Sequence, residues 1–167
     1  GHDSQTPAGW GRRLAAGDPR IALAFVVVMT GFYLATTAGN LGETDDAYAF
    51  AYRAEHFGLD HISDPRLMLY HVAMRLLYLG STAVGLDLPA LVIMRAISAL
   101  AAAASLVLVI RIAAADLKLS SATALLTAAV LGASYGFWRY AAEAEVYLPA
   151  TFLILLVFRG LCAQAAR

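Results

Sequence analysis

Two stretches of this chain, Ile21 to Gly39 and Leu119 to Trp138, contain no charged residue at all. A hydrocarbon layer about 30 Å thick is crossed by about 20 helical residues, so both stretches have the length of a membrane span. Two more runs come close. Val146 to Phe158 is uncharged and ends at Arg159, and Leu88 to Ala113 carries only Asp87 beside it and Arg95 and Arg111 near its ends, where long side chains can snorkel to water. Apolar residues make up 60% of the chain and charged ones 14%, a balance that excludes a disordered segment and argues against an ordinary soluble domain. The expected fold class is therefore all-α, a polytopic transmembrane helical bundle. Twelve basic residues balance twelve acidic ones, so no net field recruits nucleic acid. The lone Cys162 cannot form an internal disulfide.

Leu67 to Val84 is a different kind of segment. His71, Arg75, Tyr78 and Thr82 recur along one helical face, with Leu69, Val72, Ala73 and Leu76 opposite, the pattern of an amphipathic helix at the interface or lining a site. The positive-inside rule bears on whether it crosses. If it does not, Arg12, Arg13, Arg20, Arg111, Lys118, Arg159 and Arg167 all fall on the cytoplasmic side, seven of the twelve basic residues. If it does, that bias largely disappears. The reading is therefore four spans with both ends inside: a cytoplasmic tail over residues 1–20, in which residues 1–9 carry no fold expectation, and a transmembrane domain over 21–167 with an external loop at 40–87.

Chemistry then concentrates outside. The stretch Asn40 to Arg66 holds six carboxylates (Glu43, Asp45, Asp46, Glu55, Asp60, Asp64) against two Arg, and the connection holding Arg139, Glu143 and Glu145 falls on the same face. Thr44 to Phe57 reads as a short juxtamembrane helix. Asp45 or Asp46 can cap it, while the other can face a substrate as general base. Gly58 to Pro65 is a turn-rich connector. Arg66, His71, Arg75 and Arg139 can pair with these carboxylates or bind an anionic headgroup. His56 and His61 stand among acids without the spacing of a zinc motif, so no metal site is assigned. The aromatic residues Phe137, Trp138, Tyr140 and Tyr147 partly make an interfacial belt.

The order of a basic tail, a first span, an external loop opening on Asp45-Asp46, a short helix, a Pro-containing connector and the helix beginning Leu67-Met68-Leu69-Tyr70-His71 resembles the start of the GT-C membrane glycosyltransferases. Phe137-Trp138 followed by Ala141, Glu145, Val146 and Tyr147 is similar to a pattern in a mannosyltransferase-like branch of that superfamily. The resemblance runs over roughly residues 20 to 160 and implies the N-terminal portion of a larger module. It implies a sugar donor carried on a polyprenyl phosphate, with a membrane lipid environment and an unknown hydroxyl acceptor as the other partners. In its terms Asp45 or Asp46 is the catalytic residue, acting as base or orienting the acceptor, Glu143 and Glu145 form the second acidic motif, and Arg66, His71, Arg75 and Arg139 bind the donor phosphate. No cofactor is certain, and dependence on a divalent metal stays open. The expected location is a bacterial or archaeal plasma membrane. Related mannosyltransferases carry His-Pro-Pro where this chain has Asp64-Pro65-Arg66, which leaves sugar and acceptor open. Two other readings stand beside this one: a transporter or lipid flippase fragment, which would place ionisable or helix-breaking residues near the bilayer midplane, where this chain has almost none beyond Gly31 and Gly132, and a non-catalytic assembly subunit packing through the Ala99 to Ala104 and Ala113 to Ala115 stripe.

Overall fold

The computed structural model describes residues 7–37, 45–58 and 67–165. Among these every regular element is helical: α1 (Pro7–Ala15), α2 (Pro19–Ala35), α3 (Asp45–His56), α4 (Met68–Ala83), α5 (Ala90–Arg111), α6 (Ser121–Ala133), α7 (Tyr135–Ala142) and α8 (Tyr147–Ala165), with one π-helical turn (Ile112–Asp116) extending α5. Two helices are long and apolar enough to cross a membrane, α5 with its π turn and α8. They become three if α1 and α2, bent by 103° at the turn between them, count as one broken span.

α5 is the axis of the molecule, and its sequence explains why. Ala99, Ala101, Ala102 and Ala103 present almost no bulk, so neighbouring backbones can approach from several directions. Ser98 and Ser105 are fully buried among them, and Ser105 Oγ donates to the carbonyl of Ala101 at 2.7 Å, so its hydroxyl is satisfied within its own helix. Of the most apolar stretch of α5, 61% is buried, against 6% for the corresponding stretch of α8. α2, α6, α7 and α8 all pack on α5. One core joins Leu106, Ile110 and Ala102 of α5 to Tyr33 of α2, Ala124 and Ala128 of α6, and Leu148 of α8.

Three side-chain contacts fix the directions of the helices. Arg111 Nη2 at the end of α5 reaches the carbonyl of Gly17, just before α2, at 3.4 Å. Trp138 Nε1 of α7 donates to Thr36 Oγ1 at the end of α2, 2.9 Å. Ser98, two turns into α5, bonds the backbone of Glu145, just before α8. α2 therefore runs against α5, and α8 runs with it.

The expected span Leu119 to Trp138 is not one helix. Ser134 adopts an extended conformation (φ −64°, ψ 140°) that ends α6 and starts α7. The break follows from Gly132-Ala133-Ser134, where a serine hydroxyl can turn back on the helix, and Ser134 Oγ donates to the Leu131 carbonyl at 2.7 Å. The amphipathic segment does form, as α4, and Pro149 sits in the first turn of α8, where its missing amide hydrogen costs nothing. The basic stretch expected as a tail contains α1, whose Leu14 is buried against the main core.

Candidate functional site

α3 is held by a second core. Ala47, Ala51 and Ala54 of α3 pack with Tyr70 and Met74 of α4, Ala90 and Met94 of α5, and Ala144 from the connection between α7 and α8. Small residues at positions 47, 51 and 54 make one flat helical face, and that is the face turned inward. The outer face carries Tyr52 and His56, whose rings stack at 4.3 Å. Thus the short acidic helix and the second acidic stretch, nearly 100 residues apart in sequence, meet in one cluster around the start of α5.

Two charged side chains lock this arrangement. Pro89 precedes α5 and offers no side-chain cap; its carbonyl accepts from the Val92 and Ile93 amides, and the Ala90 amide ahead of them needs an acceptor from elsewhere. Glu55 of α3 supplies one: its Oε1 accepts from the Ala90 amide at 2.7 Å, placing a carboxylate at the positive end of a 22-residue helix. At the other end of the exchange, Arg75 of α4 donates from Nη1 to the carbonyls of Ala54 (2.6 Å) and Glu55 (3.0 Å), closing the last turn of α3. The Arg75 guanidinium also lies 5.9 Å from the centre of the Tyr78 ring.

His71 is buried on the inner face of α4, with the edge of its ring meeting Phe50 at 4.8 Å between centroids. Leu69, two residues earlier, is 73% exposed, whereas His71 is 7% exposed. α4 therefore turns His71 and Arg75 toward protein and Leu69, Leu76 and Leu79 outward, while Thr82 at its end is exposed. Such a helix is stable where the surroundings are as apolar as its outer face.

The second acidic stretch is built by α7 and Ser98. Arg139 Nε donates to Glu143 Oε1 at 3.1 Å across one turn, and Arg139 Nη1 donates to the Tyr135 hydroxyl at 3.3 Å. Glu143 and Glu145 are both buried. The backbone of Glu145 is clamped from both sides by one hydroxyl: Ser98 Oγ donates to its carbonyl at 2.9 Å and accepts from its amide at 3.2 Å.

Of the residues expected at the site, Asp46 is an exposed residue of the first turn of α3 and Asp45 begins that helix, with its side chain outside the described residues. Arg66 lies outside the described residues too. His71, Arg139, Glu143 and Glu145 sit on elements that meet at or border this second core, and Arg75 holds α3 to α4. Glu55 and Ser98, which position the rest, were not singled out as site residues. A clue for Glu55 was present, since an uncapped proline-led helix start needs an acceptor from elsewhere. None pointed to Ser98. Among the described residues no three His, Cys, Asp or Glu side chains gather as metal ligands. An apolar groove of about 660 Å³ lies between α4, α5 and α8, lined by Leu69, Tyr70, Leu77, Leu100, Val146 and Phe152 among others, and its Tyr70 and Val146 end abuts the second core.

No family model matches the chain, and neither a curated protein nor a solved structure does.

Proposed function

We propose that this chain belongs to a membrane glycosyltransferase that moves a sugar from a polyprenyl-phosphate donor to a hydroxyl acceptor on the external face. The observation that carries the reading is the meeting of α3, which begins with Asp45 and Asp46, with the Glu143 to Glu145 connection around the start of α5. Asp45 or Asp46 takes the proton of the acceptor hydroxyl. The acceptor oxygen then bonds the anomeric carbon as the bond from that carbon to the phosphate oxygen breaks, and the polyprenyl phosphate leaves with its pair of electrons. Arg66, His71, Arg75 and Arg139 are the candidates for stabilising that phosphate. Arg139 is the one that combines partial exposure with a fixed orientation, because Glu143 and Tyr135 hold its fork in place. The apolar groove beside α4 suits the prenyl chain, since it runs from the second core along lipid-exposed helices.

This reading takes the protein as a multi-pass one, with α2, α5 and α8 crossing singly and α6 with α7 crossing together. At a rise of 1.5 Å per residue α6 and α7 span about 20 and about 12 Å, which sum to the thickness of a bilayer core. The test is transfer of labelled sugar from a polyprenyl-phosphate donor by membranes carrying Asp45→Asn, Asp46→Asn or the unaltered protein. At least one variant is expected to lose transfer by a factor on the order of 100 or more, the scale of an acid-base residue. Full transfer by both would end the assignment.

One feature favours a second reading. The break at Ser134 interrupts an apolar stretch, and discontinuous helices line the substrate sites of transporters. In that case Ser134→Ala would change uptake or flipping of a solute or lipid in vesicles, whereas the transferase reading expects sugar transfer to be insensitive to it.

A further inference from the structure

At the end of the molecule away from α3, the chain builds a feature that the transferase chemistry does not use. α1 meets α2 at 103°, so when α2 stands across a membrane α1 lies along its surface. The turn is made by Gly17, whose φ of +89° is accessible to glycine without strain, and is fastened by Arg111 Nη2 on the Gly17 carbonyl. α1 is short but strongly two-sided. Leu14 is buried and Gly11 sits so close to Leu125 of α6 that any Cβ would collide with its methyl group, while Arg12 and Arg13 are exposed. Trp10 is half exposed at the rim.

Beneath α1, between it, α2 and α6, is an apolar groove of about 380 Å³ lined by Trp10, Leu14, Ile21, Phe25, Val28 and Leu125 among others. Exposed basic residues border its lining along the chain. Arg12 and Arg13 flank the lining residues of α1, Arg20 immediately precedes Ile21, and Lys118 is exposed on the turn before α6. Asp18 and Asp116 are the described acidic residues near this end. The Asp18 carboxylate is used on the amides of Arg20 and Ile21 as the cap of α2. An apolar slot beside exposed arginines, at the level where an interfacial helix meets a span, has the complementarity of an anionic phospholipid, with acyl chain in the slot and phosphate near the arginines.

We propose that α1, α2 and α6 form a binding site for an anionic phospholipid of the cytoplasmic leaflet. The proposal rests on the membrane placement of α2 and not on glycosyl transfer. It is tested with the whole chain carrying Trp138→Phe, so that Trp10 is the sole tryptophan, in phosphatidylcholine vesicles containing either brominated phosphatidylglycerol or brominated phosphatidylcholine at equal mole fraction. The anionic lipid is expected to quench Trp10 more strongly. Neutralising Arg12, Arg13 and Arg20 to Gln should lower that preference by about fivefold per residue, and added salt should weaken it. If Trp138→Phe does not fold, the unaltered protein compared with Trp10→Phe gives the same quantity by difference. Equal quenching by both lipids, or a preference that survives the three substitutions, overturns the proposal. In the pair of unaltered protein and Trp10→Phe, quenching of Trp138 with none assignable to Trp10 overturns it while leaving the protein in the bilayer, and no quenching of either tryptophan overturns the membrane placement itself.

Discussion

Ser98 and Glu55 do the same kind of work by different chemistry, each satisfying backbone groups of an element far away in sequence. Ser98 is fully buried, so its replacement by alanine would take the hydroxyl donor from the buried Glu145 carbonyl, while the Glu145 amide keeps the Glu143 carbonyl at 3.1 Å. We expect Ser98→Ala to cost about 1–3 kcal/mol, measured by thermal unfolding in detergent, and an unchanged melt would mean that the clamp contributes nothing. Glu55 separates two effects, an acceptor for Ala90 and a negative charge at the start of α5. Glu55→Ala should cost about 0.5–2 kcal/mol, and Glu55→Gln less, because the amide oxygen still accepts; equal losses would assign the whole effect to charge. At this scale the sequence exposes residue types and hides pairings. That Arg139 and Glu143 are a helical turn apart is visible in the sequence, and they do pair. That Arg75 finishes α3 is not visible, because it depends on how two helices separated by a connector come to lie.

Uncharged runs locate α2, α5 and α8, the helix formers of Thr44 to Phe57 locate α3, and the two-sided pattern of Leu67 to Val84 becomes α4 over Met68–Ala83. What periodicity leaves undetermined is which face points in, since an amphipathic helix in an apolar solvent reverses the usual sense, as Leu69 and His71 do here. A charge count also cannot place a break in an uncharged run, so the interruption at Ser134 was not expected. Two residues earlier, Gly132 brings α6 into close contact with the core. A Cβ there would lie 2.9 Å from Leu106 Cδ1 and 3.2 Å from the Tyr33 hydroxyl, which itself donates to the Gly132 carbonyl at 3.3 Å. Leu106 and Tyr33 are buried and have little room to yield. Gly132→Ala should therefore destabilise by about 1–3 kcal/mol and Gly132→Val by more, in the same unfolding assay. If both substitutions melt like the unaltered protein, α6 packs more loosely than this contact requires.

For the molecule as a whole, the expectation that most bears on function is that both acidic stretches share one side of a membrane and the arginine-rich end lies on the other. Leu86 before α5, Tyr140 on α7 and Leu117 after the π turn are all exposed, and they sample the two ends of α5. With Cys162→Ala as background, single cysteines at 86 and 140 should react with an impermeant thiol reagent added outside intact cells, and one at 117 should not. Reaction at 117 alone would invert the orientation and put the acidic stretches inside, while reaction at only one of 86 and 140 would mean that they do not share a face.

The central place of α5 also sets a timetable. Everything from Pro7 to Ala83 is synthesised before the helix on which α2, α3 and α4 pack has emerged from the ribosome. Until Ala90 to Arg111 is made, the nascent chain has Glu55 without the amide it caps and Tyr33 without the Leu106 and Gly132 that enclose it. The arrival of this alanine-rich stretch is thus the event that turns a string of separate helices into one folded body, and a translational stall just upstream of it would leave the helices without the core that α5 builds.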